Sequence, residues 1–426
     1  MIRLYDFDEV KPEEILNRDI RAEADVEATV DAIIADVRAR GDAALLDYAA
    51  KFDHAQLTSV QVTQAEIDEA FSELEASDPE FITTLKMAAS NIRHFHEQQL
   101  HKNFVLNDRP GMVLGQKYTP IQRAGVYVPG GTAAYPSTVL MDVIPAKVAG
   151  VQQIVMTTPA GKDGKVNAGI LAAAVIAGID CIFKTGGAQA VAALAYGTES
   201  VPAVDKIVGP GNIYVATAKR KVFGKVGIDM IAGPSEILVL ADGTCNPAWV
   251  AADLLSQAEH DKLATPVLVT DSWDLAKAVQ AELEVQIPQL PRAAIARASV
   301  DTNGKIIVTD DMKKAIDAVN IIAPEHLEIC VDDPFAVLND IQNAGSIFLG
   351  KNVPEALGDY FAGPNHTLPT SGTARFSSPL GVDDFVKKSS FIYYTREALG
   401  EVQARIANFA EHEGLHAHAK SVTIRF

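Results

Sequence analysis

The sequence predicts an α/β protein made of two doubly wound domains, with a helical N-terminal region and a C-terminal tail. The 426 residues exceed the usual size of one domain, and 48% of them are apolar, which is enough for a sizeable core. From about residue 125 onward, short apolar runs alternate with helical stretches, and turns rich in Gly and Pro separate them. Such strand–turn–helix units give parallel strands, because each return crossover needs a helix.

Residues 24–104 form the predicted helical region. Apolar side chains recur there at helical spacing, and a glycine then ends the first helix: Val26, Val30, Ile33, Ile34, Val37 and Gly41. Two further helices are predicted at about 63–74 and 78–100.

The first run of α/β units lies between residues 125 and 234. Its predicted strands are 125–128, 153–156, 181–184 and 206–208. The helix after the first strand ends at 147, and the helices after the other three strands cover 168–177, 188–195 and 212–222. Glycine pairs and Pro-Gly turns join several of these strands to their helices. We therefore assign residues 125–234 to one doubly wound domain.

A second run begins at residue 236, with predicted strands at 236–240, 266–270, 305–308 and 346–349. Both runs have the Rossmann-like alternation. We interpret 125–234 as an inserted second α/β domain, and 24–124 together with 235–378 as the first α/β domain. Residues 1–23 are an N-terminal segment. The tail, 379–426, is predicted to contain a helix at 396–412 and a strand-like end at 421–424.

The composition excludes several classes of function. A formal charge of −18 argues against nucleic acid and against an anionic membrane surface, since both attract Lys and Arg. The longest apolar run, 168–177, is too short to span a bilayer, and the first residues lack the apolar core of a signal peptide. Three widely spaced cysteines without a CxxC pair fit a reducing compartment, so we expect a cytoplasmic protein.

Side chains that can bind a metal lie in short segments of the second half. Gln257 and His260 are three residues apart in a predicted helix and would share one face; the alternative is an N-capping or surface pair. Asp359 and His366 lie in turn-rich loops, where α/β proteins commonly carry site residues.

The tail adds a further pair of imidazoles. His416 and His418 alternate, so they would share a face of an extended segment, and either could be a ligand. Nitrogen and oxygen donors without Cys suit zinc, or manganese and cobalt as substitutes.

Glu325 and His326 form an adjacent pair suited to proton transfer. Pro324 precedes them and is favoured in the first turn of a helix, so we predict that a helix begins here. The positive end of the helix dipole would keep the carboxylate ionised and the imidazole neutral, as a general base requires. The alternative is a capping carboxylate beside a buried histidine.

One glycine turn has the context of a phosphate site. Gly209-Pro210-Gly211-Asn212 follows a predicted strand and opens a helix. It lacks the third glycine of the dinucleotide fingerprint, so NAD would bind in an unusual way. The alternative is that the glycines form packing turns.

These segments together resemble the histidinol dehydrogenase family, from the helical N-terminal region to the end of the tail. The most specific matches are 125–131, 186–190, 209–212, 232–236, 254–260, 324–327, Asn365-His366 with Leu368-Pro369-Thr370, and Ala417-His418.

The resemblance implies roles for particular residues. One zinc per subunit would be bound by Gln257, His260, Asp359 and His418, and the match favours His418 over His416. The last ligand would come from the partner subunit, which implies an intertwined homodimer. Glu325 and His326 would be the catalytic acid–base pair. Contacts to NAD would come from Tyr127, Gln189 and Asn212, and substrate would be bound by Ser235, Gln257, His260, His326, Asp359, His366, Glu413 and His418.

The implied reaction is the NAD- and zinc-dependent four-electron oxidation of L-histidinol to L-histidine through L-histidinaldehyde, the last two steps of histidine biosynthesis. His326 would remove the hydroxyl proton, and Glu325 would activate water. The rivals are a homologous zinc-dependent dehydrogenase of another small alcohol, a metallohydrolase, and a non-catalytic protein that retains the fold. The complete set of implied residues argues against all three.

Overall fold

The computed structural model describes residues 1–10, 24–130 and 134–426. The predicted N-terminal segment 1–23 therefore falls mostly outside the described residues, as does Gly131 of the first glycine motif. The chain forms two compact units: Met1–Gln99 with Gln122–Phe385, and Leu100–Ile121 with Val386–Phe426. Within the described parts of the chain, no helix is both long enough and apolar enough to cross a bilayer.

The described residues contain fourteen strands. In chain order they are β1 Arg3–Asp6, β2 Phe104–Leu106, β3 Met112–Pro120, β4 Arg123–Tyr127, β5 Gln153–Thr158, β6 Cys181–Lys184, β7 Lys206–Val208, β8 Gly227–Ile228, β9 Glu236–Ala241, β10 Thr265–Thr270, β11 Lys305–Val308, β12 His326–Cys330, β13 Ser346–Leu349 and β14 Val386–Tyr394.

The helices are numbered in the same way. They are α1 Ala24–Arg40, α2 Asp42–Tyr48, α3 Gln64–Ser77, α4 Pro79–Glu97, α5 Pro136–Ala149, α6 Ala168–Ala177, α7 Gly187–Tyr196, α8 Ile213–Val222, α9 Pro247–Ala258, α10 Trp273–Gln286, α11 Ala293–Thr302, α12 Met312–Ile322, α13 Pro334–Leu338, α14 Glu355–Leu357, α15 Arg396–His412 and α16 His416–Thr423.

The first unit contains two parallel sheets with the same strand order. One sheet has the order β6-β5-β4-β7-β8. The other has the order β11-β10-β9-β12-β13, and β1 adds to its edge beside β11. Each sheet therefore has the doubly wound order 3-2-1-4-5. This confirms the predicted fold class of two Rossmann-like α/β sheets.

The sheet that contains β9 is covered on both faces, as a parallel sheet requires. Ile237 and Val239 of β9 pack in one buried cluster with side chains of α9, α10 and α11. Leu238 and Leu240 point to the opposite face, where they pack with α12. All six residues of β9 are buried, which explains why the five residues after Glu236 are a continuous apolar run rather than an alternating one.

The N-terminal helix α1 packs on the other sheet. Val30, Ile33 and Val37 of α1 belong to one buried cluster with Val191 of α7 and Val215 of α8. We had expected residues 24–124 to group with 235–378, and this packing of α1 differs from that expectation. The domain boundaries stay a prediction.

The second unit consists of an antiparallel sheet and two helices. Its strand order is β14-β3-β2, and β14 pairs with β3 along nine residues. The predicted helix at 396–412 is confirmed as α15. The predicted strand at 421–424 is wrong, because these residues lie in and just after α16. Alanines at 417 and 419 favour the helix.

Candidate active site

Glu236, the first residue of β9, holds both members of the predicted acid–base pair. Its backbone N–H donates to Glu325 Oε2 at 2.8 Å, and its carbonyl accepts a hydrogen bond from His326 Nδ1 at 2.9 Å. The Glu236 carboxylate in turn accepts from the backbone N–H of Ser371 at 3.2 Å. These buried polar groups are therefore fixed by one residue that the sequence analysis did not single out.

Glu325 and His326 do not begin a helix, so that expectation was wrong. The preceding helix, α12, ends at Ile322, and Ala323 has the left-handed conformation (φ 51°) typical of a residue that ends a helix. His326 then opens β12, whose five residues are all buried. The pair therefore lies beyond the carboxyl end of a helix. The dipole argument for a neutral imidazole does not apply.

The tautomer of His326 follows from its contact with Glu236. A backbone carbonyl can only accept, so Nδ1 carries the proton. Nε2 lies 3.5 Å from Asp359 Oδ1 and 4.0 Å from Glu355 Oε1, and it has no hydrogen-bond partner among the described residues. Burial by itself would lower the pKa of His326, but the carboxylates of Glu325 and Asp359 outweigh burial and raise that pKa well above its usual value.

His326, Glu355 and Asp359 form a cluster of potential metal ligands. One ligand atom from each lies within 4.8 Å of the other two. Asp359 sits in a π-helical turn, Gly358–Ala362, a feature that is frequent at functional sites. Glu355 is buried, and its Oε1 has no hydrogen-bond partner among the described residues. Buried nitrogen and oxygen atoms without partners suit a divalent cation such as zinc.

The two carboxyl groups of this cluster titrate in opposite directions. Burial, together with the neighbouring Asp359, raises the pKa of Glu355 to about 8. Burial also acts to raise the pKa of Asp359, but the neighbouring imidazoles of His326 and His366 outweigh burial and lower that pKa. One proton therefore stays on Glu355 while Asp359 is ionised, as in other closely spaced carboxyl pairs.

Gln257 and His260 lie at the end of α9. Gln257 is in the last turn and is buried. His260 falls two residues beyond the helix, and its backbone N–H donates to the carbonyl of Gln257 at 3.1 Å. Burial lowers the pKa of His260, although the charge of Asp359 opposes this effect. Gln257 and His260 are therefore connected by a hydrogen-bonded turn after the helix, and not by the continuous helix that we predicted.

A second layer of carboxyl groups lies beside Glu355. Glu328 Oε1 accepts the backbone N–H of Glu355 at 2.7 Å. Burial and the proximity of Asp253 raise the pKa of Glu328 to about 9, and burial also raises the pKa of Asp253. Glu328 therefore holds a proton at neutral pH and supports the cluster without adding negative charge.

His366 contacts the same turn as Asp359. Its Nδ1 lies 3.1 Å from the carbonyl of Asp359, and its Nε2 lies 3.3 Å from the hydroxyl of Thr138. Burial lowers the pKa of His366. Ser235 immediately precedes β9, and its carbonyl accepts from the backbone N–H of Thr265 at 2.9 Å.

The remaining two predicted substrate residues lie in the second unit. Glu413 follows α15, and His418 is in α16. Both side chains are exposed. His416 and His418 therefore belong to a helix rather than to the extended segment that we expected. Their roles stay predictions.

The predicted cofactor residues Tyr127 and Gln189 lie close to one glycine. The hydroxyl of Tyr127, at the end of β4, accepts from the backbone N–H of Gly187 at 3.1 Å. Gly187 has a φ of 63°, and a Cβ built on it would lie 2.8 Å from Gln189 Oε1. Burial raises the pKa of Tyr127 to about 12, so its hydroxyl remains protonated.

Asn212 caps α8, and the turn before it is held by a buried ion pair. Asn212 Oδ1 accepts the backbone N–H groups of the second and third helical residues at 3.0 and 3.2 Å. Lys219 pairs with Asp229 and donates to the carbonyl of Gly209 at 2.9 Å. A Cβ on Gly209 (φ 115°) would lie 2.1 Å from the carbonyl oxygen of Tyr127. Only glycine fits there, because the turn after β7 lies against the end of β4.

Three polar residues were missed in the sequence: Glu236, Glu355 and Lys219. Glu355 had a local signal, since it lies four residues before Asp359 and would share a helical face with it. Glu236 contacts Glu325, 89 residues away. Lys219 contacts the backbone of Gly209 and the side chain of Asp229, which also lie outside its own turn of helix. The fold and its sites thus define a doubly wound α/β enzyme with a buried histidine–carboxylate centre.

Comparison with known proteins narrows this class. Residues 16–426 match the family Histidinol dehydrogenase. The chain is 54% identical over 418 residues to a histidinol dehydrogenase of Listeria monocytogenes, covering 98% of this chain and 96% of that protein. It is 57% identical over 397 residues to a histidinol dehydrogenase of Bacillus subtilis, covering 93% and 92%.

A solved structure of histidinol dehydrogenase from Elizabethkingia anophelis superposes with a TM-score of 0.94 at 39% identity, covering 100% of this chain and 98% of that one. The chain belongs to the histidinol dehydrogenase family and is an oxidoreductase.

Proposed function

We propose that the protein oxidises L-histidinol to L-histidine through L-histidinaldehyde, with two NAD molecules as hydride acceptors and one zinc per subunit. The observation that carries this proposal is the buried pair Glu325–His326, held by Glu236, with Nε2 of His326 directed at Asp359. Family membership supports the substrate, because the relatives named above are histidinol dehydrogenases.

The contacts of the pair support the two proton-transfer roles. Since Nδ1 of His326 is held by a carbonyl, Nε2 is the ring atom that can accept the hydroxyl proton while hydride passes to NAD. Water then adds to the aldehyde with Glu325 as base, and the hydrate gives a second hydride to a second NAD. The sum is alcohol, water and two NAD⁺ going to carboxylate, two NADH and three protons.

The NAD site is proposed at the carboxyl ends of β4 and β7. These strands are neighbours, and the chain leaves them in opposite directions along the sheet, so they flank the topological switch point where doubly wound folds bind nucleotides. Tyr127 ends β4, and Asn212 begins the helix after β7. Gln189 lies in α7, which follows β6. No dinucleotide fingerprint is needed if Tyr127, Gln189 and Asn212 provide the contacts.

For the zinc site, Gln257, His260 and Asp359 would be the ligands from one subunit and His418 the ligand from its partner. When bound, zinc would hold the imidazole and amine of the substrate and so fix its orientation. The charge of Asp359 would then be neutralised, and His326 would lose its proton more readily. The buried oxygen Oε1 of Glu355, which lies close to Asp359 and has no hydrogen-bond partner among the described residues, supports a cation at this place.

A homodimer in which the tail completes the partner's site is part of this proposal. The second unit exposes many large apolar side chains, including all three residues of β2 and, in β14 and α15, Ile392 (74% exposed) and Phe409 (70%). Such a surface is typical of an interface. We also propose a cytoplasmic location, which the three free cysteines support.

The test is the ratio of NADH formed to L-histidinol consumed by the zinc-loaded protein, with a chelated sample alongside. Two NADH per substrate, lost on chelation and restored by Zn²⁺, would support the proposal. One NADH would mean that the reaction stops at the aldehyde, and Glu325 would lose its assigned role. No NADH would favour another alcohol or a hydrolase.

A further inference from the structure

Helix α5 holds the loop that carries His366 through three consecutive residues. The side-chain amide of Asn365 donates to the carbonyl of Met141, and the hydroxyl of Thr367 donates to Asp142 Oδ1 at 2.8 Å. Between them, Nε2 of His366 lies 3.3 Å from the hydroxyl of Thr138. All of these α5 residues are buried, so the loop rests on a rigid, water-excluded surface.

The direction of each hydrogen bond at His366 can be assigned. The carbonyl of Asp359 can only accept, so Nδ1 of His366 carries the proton. In the neutral ring, Nε2 then has a lone pair, and the hydroxyl of Thr138 must donate to it. Both ring nitrogens are thus occupied within the protein, and the ring connects α5 to the π-helical turn that contains Asp359.

We propose that Thr138 is a positioning residue for the reaction: its hydroxyl fixes the Nδ1–H tautomer and the orientation of His366, and His366 in turn fixes the turn that carries Asp359. This inference rests on the proposed function, in which Asp359 binds zinc. Residues behind the direct ligands of a metal commonly set the tautomer and direction of the groups in front of them.

The position of α5 gives this contact a further consequence. β4 ends at Tyr127, and α5 is the next helix along the chain. The element that holds His366 is therefore the first helix of the sheet to which we assign NAD. The contact at Thr138 therefore attaches the substrate loop to that sheet.

The experiment compares Thr138→Val, which keeps the shape and removes the hydroxyl, with Thr138→Ser, which keeps the hydroxyl. In the valine variant, kcat/KM for L-histidinol should fall about 10–100-fold, while KM for NAD stays within about twofold of the unaltered enzyme. The serine variant should retain most of the activity. A purely structural role would lower activity in both variants or in neither.

The second readout does not depend on activity. Nitrogen-15 spectra of the histidine rings, with the His366 signals assigned from their loss in His366→Asn, report the tautomer directly. We expect Nδ1–H in the unaltered protein and in Thr138→Ser, and a mixture of tautomers in Thr138→Val. An Nε2–H tautomer in the unaltered protein would overturn the inference, even if the valine variant does not fold. So would a valine variant with unchanged kcat/KM and tautomer.

The two proposals can fail separately. If the unaltered protein does not oxidise L-histidinol, the proposed function is wrong, yet the ring spectra still decide whether Thr138 sets the tautomer of His366. If oxidation occurs and the spectra contradict the tautomer, only the role of Thr138 is lost.

Discussion

Replacing Lys219 by Met should destabilise the protein and weaken the proposed binding of NAD. Lys219 is almost completely buried (1% exposed), and its ammonium group pairs with Asp229 and donates to the carbonyl of Gly209 at 2.9 Å. The backbone N–H of Gly209 donates to the other oxygen of Asp229 at 2.9 Å. One buried ion pair therefore holds both polar groups of the glycine that precedes the Asn212 cap.

The magnitude follows from what the substitution leaves behind. Methionine has a similar length but no charge. Asp229 would therefore be left as a buried carboxylate that keeps the hydrogen bond from the Gly209 N–H but has lost the ammonium group. Breaking a buried pair in this way costs about 3–5 kcal/mol. The carbonyl of Gly209 also loses its donor, which by itself is worth about 1–3 kcal/mol. Since the two losses share one group, we expect a total of about 4 kcal/mol.

The assay is urea unfolding, with Lys221→Met as the matched control. Lys221 lies two residues further along α8, and its pairs with Asp31 (2.8 Å) and Glu27 (3.6 Å) are near the surface, so its loss should cost at most about 1 kcal/mol. The double variant Lys219→Met with Asp229→Asn should recover part of the stability, because the unpaired charge is gone. KM for NAD should rise about 10-fold or more in Lys219→Met, since displacement of a binding loop by an ångström is costly.

A Lys219→Met protein as stable as Lys221→Met would refute this account of the buried pair. Unchanged KM for NAD in a folded Lys219→Met protein would show that the Gly209 turn does not contribute to NAD binding.

Three further predictions concern the acid–base pair, the cofactor residue and the buried carboxyl layer. His326→Asn should lower kcat by about 10²–10⁴-fold because it removes the proton acceptor; elemental analysis should find the zinc content unchanged, and unchanged turnover would reject His326 as the base. Tyr127→Phe removes the acceptor of the Gly187 N–H and should raise KM for NAD by about 3–10-fold, as expected for loss of one hydrogen bond; an equal rise in KM for L-histidinol would argue against a cofactor role. Glu328→Gln tests a pH dependence: burial and Asp253 raise the pKa of Glu328 to about 9 in the folded protein, from an ordinary 4.5, so the fold favours the protonated form. That contribution is complete below about pH 4.5 and is lost as the pH rises towards 9. Glu328→Gln cannot ionise and still accepts the Glu355 N–H, so between pH 5 and pH 9 it should gain about 5 kcal/mol of stability relative to the unaltered protein. A pH-independent difference in unfolding free energy would contradict it.

Much of the fold could be predicted because its signals are local. The helix Ala168–Ala177 and the strands Cys181–Lys184 and Lys305–Val308 have the predicted bounds. Each is a short apolar run, and glycine follows the helix. These strands are buried on both faces of a sheet, so a continuous apolar run is a sufficient signal for them.

The elements that were missed depend on distant partners. β12 contains His326 and Glu328, polar residues that a buried strand usually lacks, and each has one polar atom bonded to a distant backbone group, Glu236 O and Glu355 N respectively. β14 is mostly exposed along its length and pairs with β3, which lies more than 260 residues earlier in the chain. No window of sequence contains both partners, so local patterns could not predict either strand.

The resemblance supplied the candidate site residues, but the helix-dipole argument for Glu325 and His326 assumed the wrong end of the dipole. We predicted that a helix begins at this point, whereas α12 ends just before it, at Ile322. The nearest helix dipole therefore presents its negative end to Glu325. This end favours a protonated imidazole and a bound cation, and it opposes a free carboxylate. The Glu325 side chain is instead held by the backbone N–H of Glu236, which is a contact between residues far apart in the sequence.

The opposite edges of the two sheets suit ligands of opposite charge. In a parallel α/β sheet the helices run antiparallel to the strands, so helix carboxyl ends lie at the amino edge of the strands and helix amino ends at the carboxyl edge. His260 follows the end of α9 and Glu325 the end of α12, and both lie at the amino edge of their sheet. Tyr127 and Asn212 lie at the carboxyl edge of the other sheet, beside the beginnings of α7 and α8.

Helix carboxyl ends carry about half a negative charge and amino ends about half a positive charge. A cation is therefore stabilised at the first edge and a pyrophosphate at the second. Two sheets with the same strand order can thus serve a metal and a dinucleotide without any difference in topology, provided that each ligand uses the edge whose helix ends complement its charge.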